Sequence, residues 1–381
     1  MADVSESAAK AKRTVVIKIG SSTLTRADGT IDEDYLAGVA AQLAAVRAAG
    51  WQPIMVSSGA IACGVRRLGF DARPDDLPSL QAAASVGQVE FAGAWAKALR
   101  AAGMEASLVL LTRRDTADRT SYLHARDTIE RLLDLGVCPI INENDTVSVE
   151  QIRFGDNDTL AALVACLVKA DLCIIMSDID GLYTDNPAKN PDARLIERVE
   201  KIDKDILAVA GEAGSAVGSG GMVTKIRAAR TLGIAGIPLV VCSGKQENAI
   251  VNATSGKHVG TIFVPSKRAH EITPRKLWIA LGDAARGALV VDDGAKRALV
   301  ERGSSLLCVG VRRVEGSFEA DDVVDIKDES GYLFARGFVT ADRDIVELAL
   351  GKSHDEMARN RILADLSDRA LVHRDNLVIF E

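Results

Sequence analysis

Short apolar runs rich in β-branched residues recur along the first two thirds of the chain, and stretches with helical spacing lie between them. The first run, residues 15–19, reads Val-Val-Ile-Lys-Ile; only Lys18 breaks it, and Gly20-Ser21-Ser22 follows. Further strands are expected at 52–57, 106–111, 137–141, 172–176 and 238–242, and helices at 32–49, 77–102, 121–135, 159–169 and 222–232. Alternation of this kind predicts an α/β fold, a mostly parallel sheet sandwiched by helices. Ligands of such sheets sit beyond the carboxyl ends of the strands. The polar clusters of this chain fall at those ends.

The pattern changes near Pro265-Ser266-Lys267. Beyond Pro274 the expected strands are short, and turn signals come often at Asp293-Gly294, Glu315-Gly316 and Ser330-Gly331. Three segments are expected: a flexible arm at 1–13, an α/β domain at 14–265, and a small, mainly β domain at 275–381. A chain of 381 residues suits two domains. Hydrophobic residues make up 48% and charged ones 26%, as in a soluble protein with a sizeable core. The net charge of −7 argues against non-specific nucleic-acid binding. The six cysteines form no C-x-x-C pair, which fits buried thiols in a reducing compartment and no zinc site. No apolar run is long enough for a membrane span, and a cytoplasmic location is expected.

The polar clusters carry the chemistry. Lys18 beside Gly20-Ser21-Ser22 suits a phosphoryl group, although a lysine there can also just mark a strand end. There is no G-x-x-x-x-G-K-[ST], so this is not a P-loop protein. Gly218-Ser219-Gly220-Gly221 is either a flexible loop or an anion cradle opening a helix. The sequel Met222-Val223-Thr224-Lys225 favours the cradle, because it holds a second lysine near the same point. Gly155-Asp156-Asn157-Asp158 reads partly as a turn with an N-cap, but it carries more acceptors than a cap needs. One carboxylate could pair with two lysines, and the other acceptors could hold a substrate ammonium. Asn142-Glu143-Asn144-Asp145 adds acceptors at another strand end. Ser58-Gly59 is either a helix cap or a donor pair for a carboxylate.

Together, Lys18-Ile19-Gly20-Ser21-Ser22, Ser57-Ser58-Gly59-Ala60, Asn142-Glu143-Asn144-Asp145, Phe154-Gly155-Asp156-Asn157-Asp158, residues 177–183 (Ser-Asp-Ile-Asp-Gly-Leu-Tyr) and residues 218–225 resemble the glutamate 5-kinase family of the amino-acid kinases. The motifs lie in the family's order and cover nearly the whole chain. Asp292-Asp293-Gly294-Ala295 and residues 302–307 (Arg-Gly-Ser-Ser-Leu-Leu) resemble the PUA domain of bacterial members. One departure is Ser177, where threonine is common; its hydroxyl can make the same bond.

The resemblance implies transfer of the ATP γ-phosphoryl group to the γ-carboxylate of L-glutamate, the first step of proline biosynthesis. It implies Mg²⁺ held mainly by the nucleotide phosphates rather than by a protein metal site. Lys18 and Lys225 would stabilise the transferring group, and Asp158 would orient them. Ser58, Asp145 and Asn157 would bind glutamate, with Asp156 nearby. Lys18, Ser177, Asp178 and the run Ser219, Gly220, Gly221, Met222, Val223, Thr224 and Lys225 would line the ATP site. A homo-oligomer and feedback inhibition by proline are implied as well. The alternatives are another kinase of the superfamily, acting on aspartate, N-acetylglutamate or UMP, and an RNA-binding protein working through the PUA-like tail. The tail's acidic balance and its lack of an aromatic-basic stripe speak against RNA.

Overall fold

The structure, a computed structural model, describes residues 12–26, 28–112, 115, 118–147, 157–212, 221–265, 273–281 and 285–380. The chain divides into two compact units: Met1–Asp115 with Thr120–Ala269, and His270–Glu381 with Thr116–Arg119. Among the described residues, no helix is long and apolar enough to cross a membrane.

The first unit holds strands β1 (Arg13–Ile19), β2 (Trp51–Ser57), β3 (Glu105–Leu111), β4 (Val137–Glu143), β5 (Leu172–Ser177), β6 (Arg198–Val199), β7 (Leu239–Ser243) and β8 (Thr261–Phe263). Its helices are α1 (Ser21–Leu24), α2 (Glu33–Ala48), α3 (Ala60–Arg67), α4 (Leu77–Ala101), α5 (Arg119–Asp134), α6 (Asn157–Leu167), α7 (Lys204–Glu212), α8 (Met222–Ile234) and α9 (Ala249–Thr254). The strands form an eight-stranded sheet in the order β3-β4-β2-β1-β5-β7-β8-β6. Only the β7–β8 pairing is antiparallel among its described neighbours. The expected mostly parallel α/β sheet is therefore present. β1 is central because its side chains from Val15 to Ile19 are buried on both faces, as a strand covered by helices on each side requires.

Most elements fall within one or two residues of the expected bounds, and two of the differences bear on the domain edge and the site. β1 starts at Arg13, within the segment expected as an arm; the Arg13 guanidinium stacks 4.1 Å from the Trp51 ring centre and ties that residue to β2. Residues 1–11 lie outside the described set. β4 runs on to Glu143, so Asn142 and Glu143 belong to the strand and not to a loop after it. Their backbone pairs with Leu110 and Leu111 of β3, which outweighs the low strand preference of asparagine and glutamate.

Helices α3 and α4 pack with almost no gap. A β-carbon on Gly87 would sit 1.8 Å from the Ala60 carbonyl oxygen, and one on Gly64 would sit 1.7 Å from that of Ala83. Gly87→Ala must therefore push α3 away from α4. It is expected to cost about 1–3 kcal/mol, seen as a melting point several degrees lower. Gly38→Ala, facing open space on α2, should instead be neutral or stabilising. A Gly87→Ala protein that melts with the parent would show that the helices separate freely.

The second unit contains a five-stranded sheet, order β10-β9-β11-β12-β13, from β9 (Gly287–Val291), β10 (Val311–Gly316), β11 (Val323–Asp328), β12 (Leu333–Phe338) and β13 (Leu377–Ile379). Its pairings are antiparallel except β9–β11. Gly316 and Gly331 take positive φ, as the turn signals there predict. Asp293-Gly294 is not a turn. It opens a helix, Asp293–Arg302, because the Asp292 carboxylate accepts from the Ala295 N–H and caps it.

Candidate active site

The register of the sheet brings the polar clusters level. Ile19 of β1 pairs with Ser57 on one side and Met176 on the other, and Ser177 pairs with Ser243. Val56 pairs with Ile141, which puts Asn142 beside the end of β2. From one side to the other, the carboxyl ends therefore present Asn142 and Glu143, then Ser57 and Ser58, then Lys18 to Ser22, then Ser177 and Asp178, then Ser243 and Gly244.

At the centre a single carboxylate holds two ammonium groups. Lys18 Nζ lies 2.7 Å from Asp158 Oδ1, and Lys225 Nζ lies 3.1 Å from Asp158 Oδ2. The Thr224 hydroxyl is 2.8 Å from Asp158 Oδ2. Asp158 is fully buried, and both lysines are nearly so. Burial pushes the Asp158 carboxyl up, but the charges of Lys18 and Lys225 and the hydrogen bonds from Lys18 and Thr224 outweigh it and hold the group well below the usual carboxylate range. Three elements build the cluster. Lys18 comes from β1, Asp158 from the first turn of α6, and Lys225 from the first turns of α8. α6 can sit there because every residue but Leu160 is buried and most are small or apolar. Gly221 starts α8 with no side-chain cap, and the Thr224 N–H turns back to the Gly221 carbonyl, so among the described residues the Met222 and Val223 N–H groups are the first-turn donors that can face an anion.

Beside this cluster lies an amide network. Asn157 Nδ2 is 2.8 Å from the Ser57 carbonyl, 2.7 Å from Ser58 Oγ and 3.1 Å from Asn142 Oδ1. Asn142 Nδ2 in turn donates to Gln88 Oε1 of α4 at 2.9 Å. Ser57 Oγ accepts from the buried Trp95 indole. Because Ser58 Oγ accepts from Asn157, its own O–H is left to donate outward. Asp145 lies two residues beyond β4, in a cleft with Gln88, Glu143 and Asn144. Burial pushes its carboxyl up to about 6, with the Arg73 charge pulling the other way.

On the opposite side, Ser177 Oγ donates to the Asp178 carboxylate at 2.9 Å. A cleft of about 490 Å³ opens here, lined by Asp180, Tyr183, Ser243, Lys245, Gln246 and His258 among others. That volume falls within the roughly 300–1,000 Å³ of small-molecule sites.

Lys18, Asp158, Lys225 and Thr224 are thus brought together, as are Ser58 and Asn157. Met222 is buried and Val223 exposed at the start of α8. Asp156, Ser219 and Gly220 lie outside the described residues. Sequence reasoning missed Gln88, Trp95, Ser243, Lys245 and Gln246. The two on α4 carry no motif, because their contacts arise only where that helix crosses the sheet. The other three sit in a strand-end cluster that reads locally as an ordinary turn.

Among solved structures, the carbamate kinase from Giardia lamblia bound to AMP-PNP aligns with 67% of this chain and 99% of its own, at 21% identity and a TM-score of 0.49. The model of the amino acid kinase family matches residues 13–243, and that of the PUA domain matches residues 287–360. The glutamate 5-kinase of Syntrophotalea carbinolica is 43% identical over 365 residues, covering 96% of each chain. That of Geobacter sulfurreducens is 44% identical, covering 97% of this chain and 98% of its own. That of Pseudomonas paraeruginosa is 44% identical, covering 96% and 97%. With a family match over most of its length and relatives this similar from end to end, the chain belongs to the amino acid kinase family, among the glutamate 5-kinases, and carries a PUA domain.

Proposed function

We propose that the chain transfers the γ-phosphoryl group of ATP to the γ-carboxylate of L-glutamate, giving γ-glutamyl phosphate and ADP, at the head of proline biosynthesis. The observation that carries this assignment is the buried Lys18–Asp158–Lys225 bridge, set between an amide network on one side and a nucleotide-sized cleft on the other. A γ-carboxylate oxygen attacks the γ-phosphorus, the bond to the β,γ-bridging oxygen breaks, and ADP leaves with the electron pair. No general base is required, since a carboxylate is already ionised at neutral pH. Catalysis is then positioning and charge neutralisation. Lys18 and Lys225 face the transferring group, Asp158 fixes their spacing, and the first-turn N–H groups of α8 add donors.

On the amide side, the Ser58 hydroxyl donates to the substrate α-carboxylate, while Asn157 and Asp145 accept from its ammonium, with Asp156 nearby. On the other side, Ser177, Asp178 and the run Ser219 to Lys225 hold the nucleotide, its nucleoside lying in the cleft at Ser243, Lys245 and Gln246. The carboxylates of Asp178 and Asp180 at the end of β5 suit a hard cation that takes most of its ligands from phosphates and water. Mg²⁺ arriving with ATP would neutralise phosphate charge there. Feedback inhibition by proline, a homo-oligomeric state and a cytoplasmic location belong to the same proposal.

The direct test is to incubate the protein with ATP, glutamate and hydroxylamine. Glutamyl hydroxamate and ADP should form together. Neither should form when aspartate, N-acetylglutamate or UMP replaces glutamate; preference for one of those acceptors would overturn the assignment.

Asp145 gives the reaction a pH signature. Its carboxyl is raised to about 6, so it is charged above that pH and neutral below it. If it holds the substrate ammonium, kcat/KM for glutamate should fall as pH drops below about 6. The γ-carboxyl of glutamate titrates lower, near about 4.3, and does not mask this. kcat/KM reports the free protein, so the break should appear at the Asp145 value. Asp145→Asn should lower kcat/KM and remove the break; a break that survives the substitution belongs to another group.

A further inference from the structure

Gly244 follows β7 directly, between Ser243 and Lys245 of the cleft, and its peptide groups are tied at both ends. Its N–H donates to the Ser177 carbonyl at 2.7 Å, and its carbonyl accepts from the Tyr35 hydroxyl at 3.0 Å. A β-carbon on Gly244 would lie 2.5 Å from the Thr23 methyl. Thr23 belongs to α1, the helix that begins one residue after Gly20 of the phosphate turn. Tyr35 is itself held firmly. It stands in the first turn of α2, its N–H donates to the capping carboxylate of Asp32, and the next residue, Leu36, is buried in the core. The Asp32 N–H in turn donates to the Leu24 carbonyl of α1. The loop that lines the nucleoside cleft is therefore fastened by one phenol to α2, which is tied to α1 beyond the phosphate turn through Asp32, and it passes close to the Thr23 side chain of α1.

We infer that Tyr35 is a positioning residue for the nucleotide: by holding the Gly244 carbonyl, it sets the spacing between the nucleoside cleft and the phosphoryl-transfer point at Lys18. This rests on the nucleotide placement proposed above. A ligand that spans both subsites depends on that spacing, whereas a ligand that fills only one does not. Tyr35→Phe keeps the ring and removes the hydroxyl, freeing the Gly244 carbonyl to shift.

The test measures dissociation constants by titration calorimetry on the full chain for ATP, adenosine and inorganic tripolyphosphate, and KM for glutamate by hydroxamate formation. Tyr35→Phe should weaken ATP by roughly three- to tenfold, the scale of one hydrogen bond. Adenosine, tripolyphosphate and the glutamate KM should stay within about twofold. Gly244→Ala, whose methyl must displace the loop, should weaken ATP further. Adding Thr23→Ala makes room for that methyl and should restore part of the affinity. An unchanged ATP constant in Tyr35→Phe, equal weakening of all three ligands, or no recovery in the Gly244→Ala, Thr23→Ala pair would overturn the inference. A parent protein that binds ATP but forms no hydroxamate would instead overturn the assignment of the reaction, while the ATP constants would still decide the role of Tyr35.

Discussion

Replacing Asp158 by alanine is expected to lower both stability and activity more than any other single change in the site. The carboxylate is fully buried between Lys18 and Lys225. Removing it takes from two ammonium groups, close together in a poorly solvated place, the carboxylate that both of them bond. Breaking a buried ion pair from one side costs about 3–5 kcal/mol. In a domain of this size each kcal/mol moves the melting point by roughly 2–4 °C, so a drop on the order of 10 °C should be seen. Activity should fall at least 10²-fold even at temperatures where the variant is folded, since misplacing reactive groups by about 1 Å has that effect. The sign of the pH dependence follows from the same geometry. The folded-state pKa of Asp158 is lowered, so its stabilisation is present above the ordinary aspartate value of about 3.9 and is lost as pH falls further toward the folded value. The parent and Asp158→Ala should therefore differ widely in melting point at pH 7 and converge in strong acid. A variant that melts within a degree or two of the parent at pH 7 would mean that other groups hold the lysines.

Lys225→Ala should separate chemistry from binding. It removes one donor to the transferring group but leaves the Lys18–Asp158 pair intact, so the fold should suffer less than in Asp158→Ala. Loss of one preorganised transition-state donor costs on the order of 10²–10³ in kcat. The KM for glutamate should change only a few-fold, because the amide network that receives the amino acid does not include Lys225. If kcat remains within a few-fold of the parent, Lys225 is a structural cation of the α6–α8 contact and not part of the transfer. If kcat holds while the ATP affinity collapses, its role is ground-state binding.

Much of the kinase unit was legible from the chain alone. The run from Val15 to Ile19 is buried on both faces because β-branched residues at successive positions suit a covered parallel strand and little else. Lys18 stands out as a charge in that run, and its only inexpensive place is at the strand end beside a counter-charge. Asp158 and Lys225 stood out for their place at helix starts, Asp158 in a cluster of acceptors that exceeds a cap and Lys225 after a glycine-rich segment. The capped start at Asp293 was misread as a turn, because aspartate followed by glycine serves both structures. Only the fold around Asp292 decides between them.

Local sequence therefore determined the class of sheet, the strand-end placement of the polar clusters and the identity of the charged residues, because strand and helix periodicity and helix capping act over only a few positions. Which clusters meet was decided by tertiary structure. Crossing order places β1 between β2 and β5, and the packing of α6 and α8 against the sheet brings Lys18 and Lys225 each within hydrogen-bond distance of Asp158. The support from Gln88 to Asn142, from Trp95 to Ser57 and from Tyr35 to Gly244 depends on where α4 and α2 cross the sheet. Partners separated by 54, 38 and 209 positions leave no local pattern, and only packing of the core sets their distance.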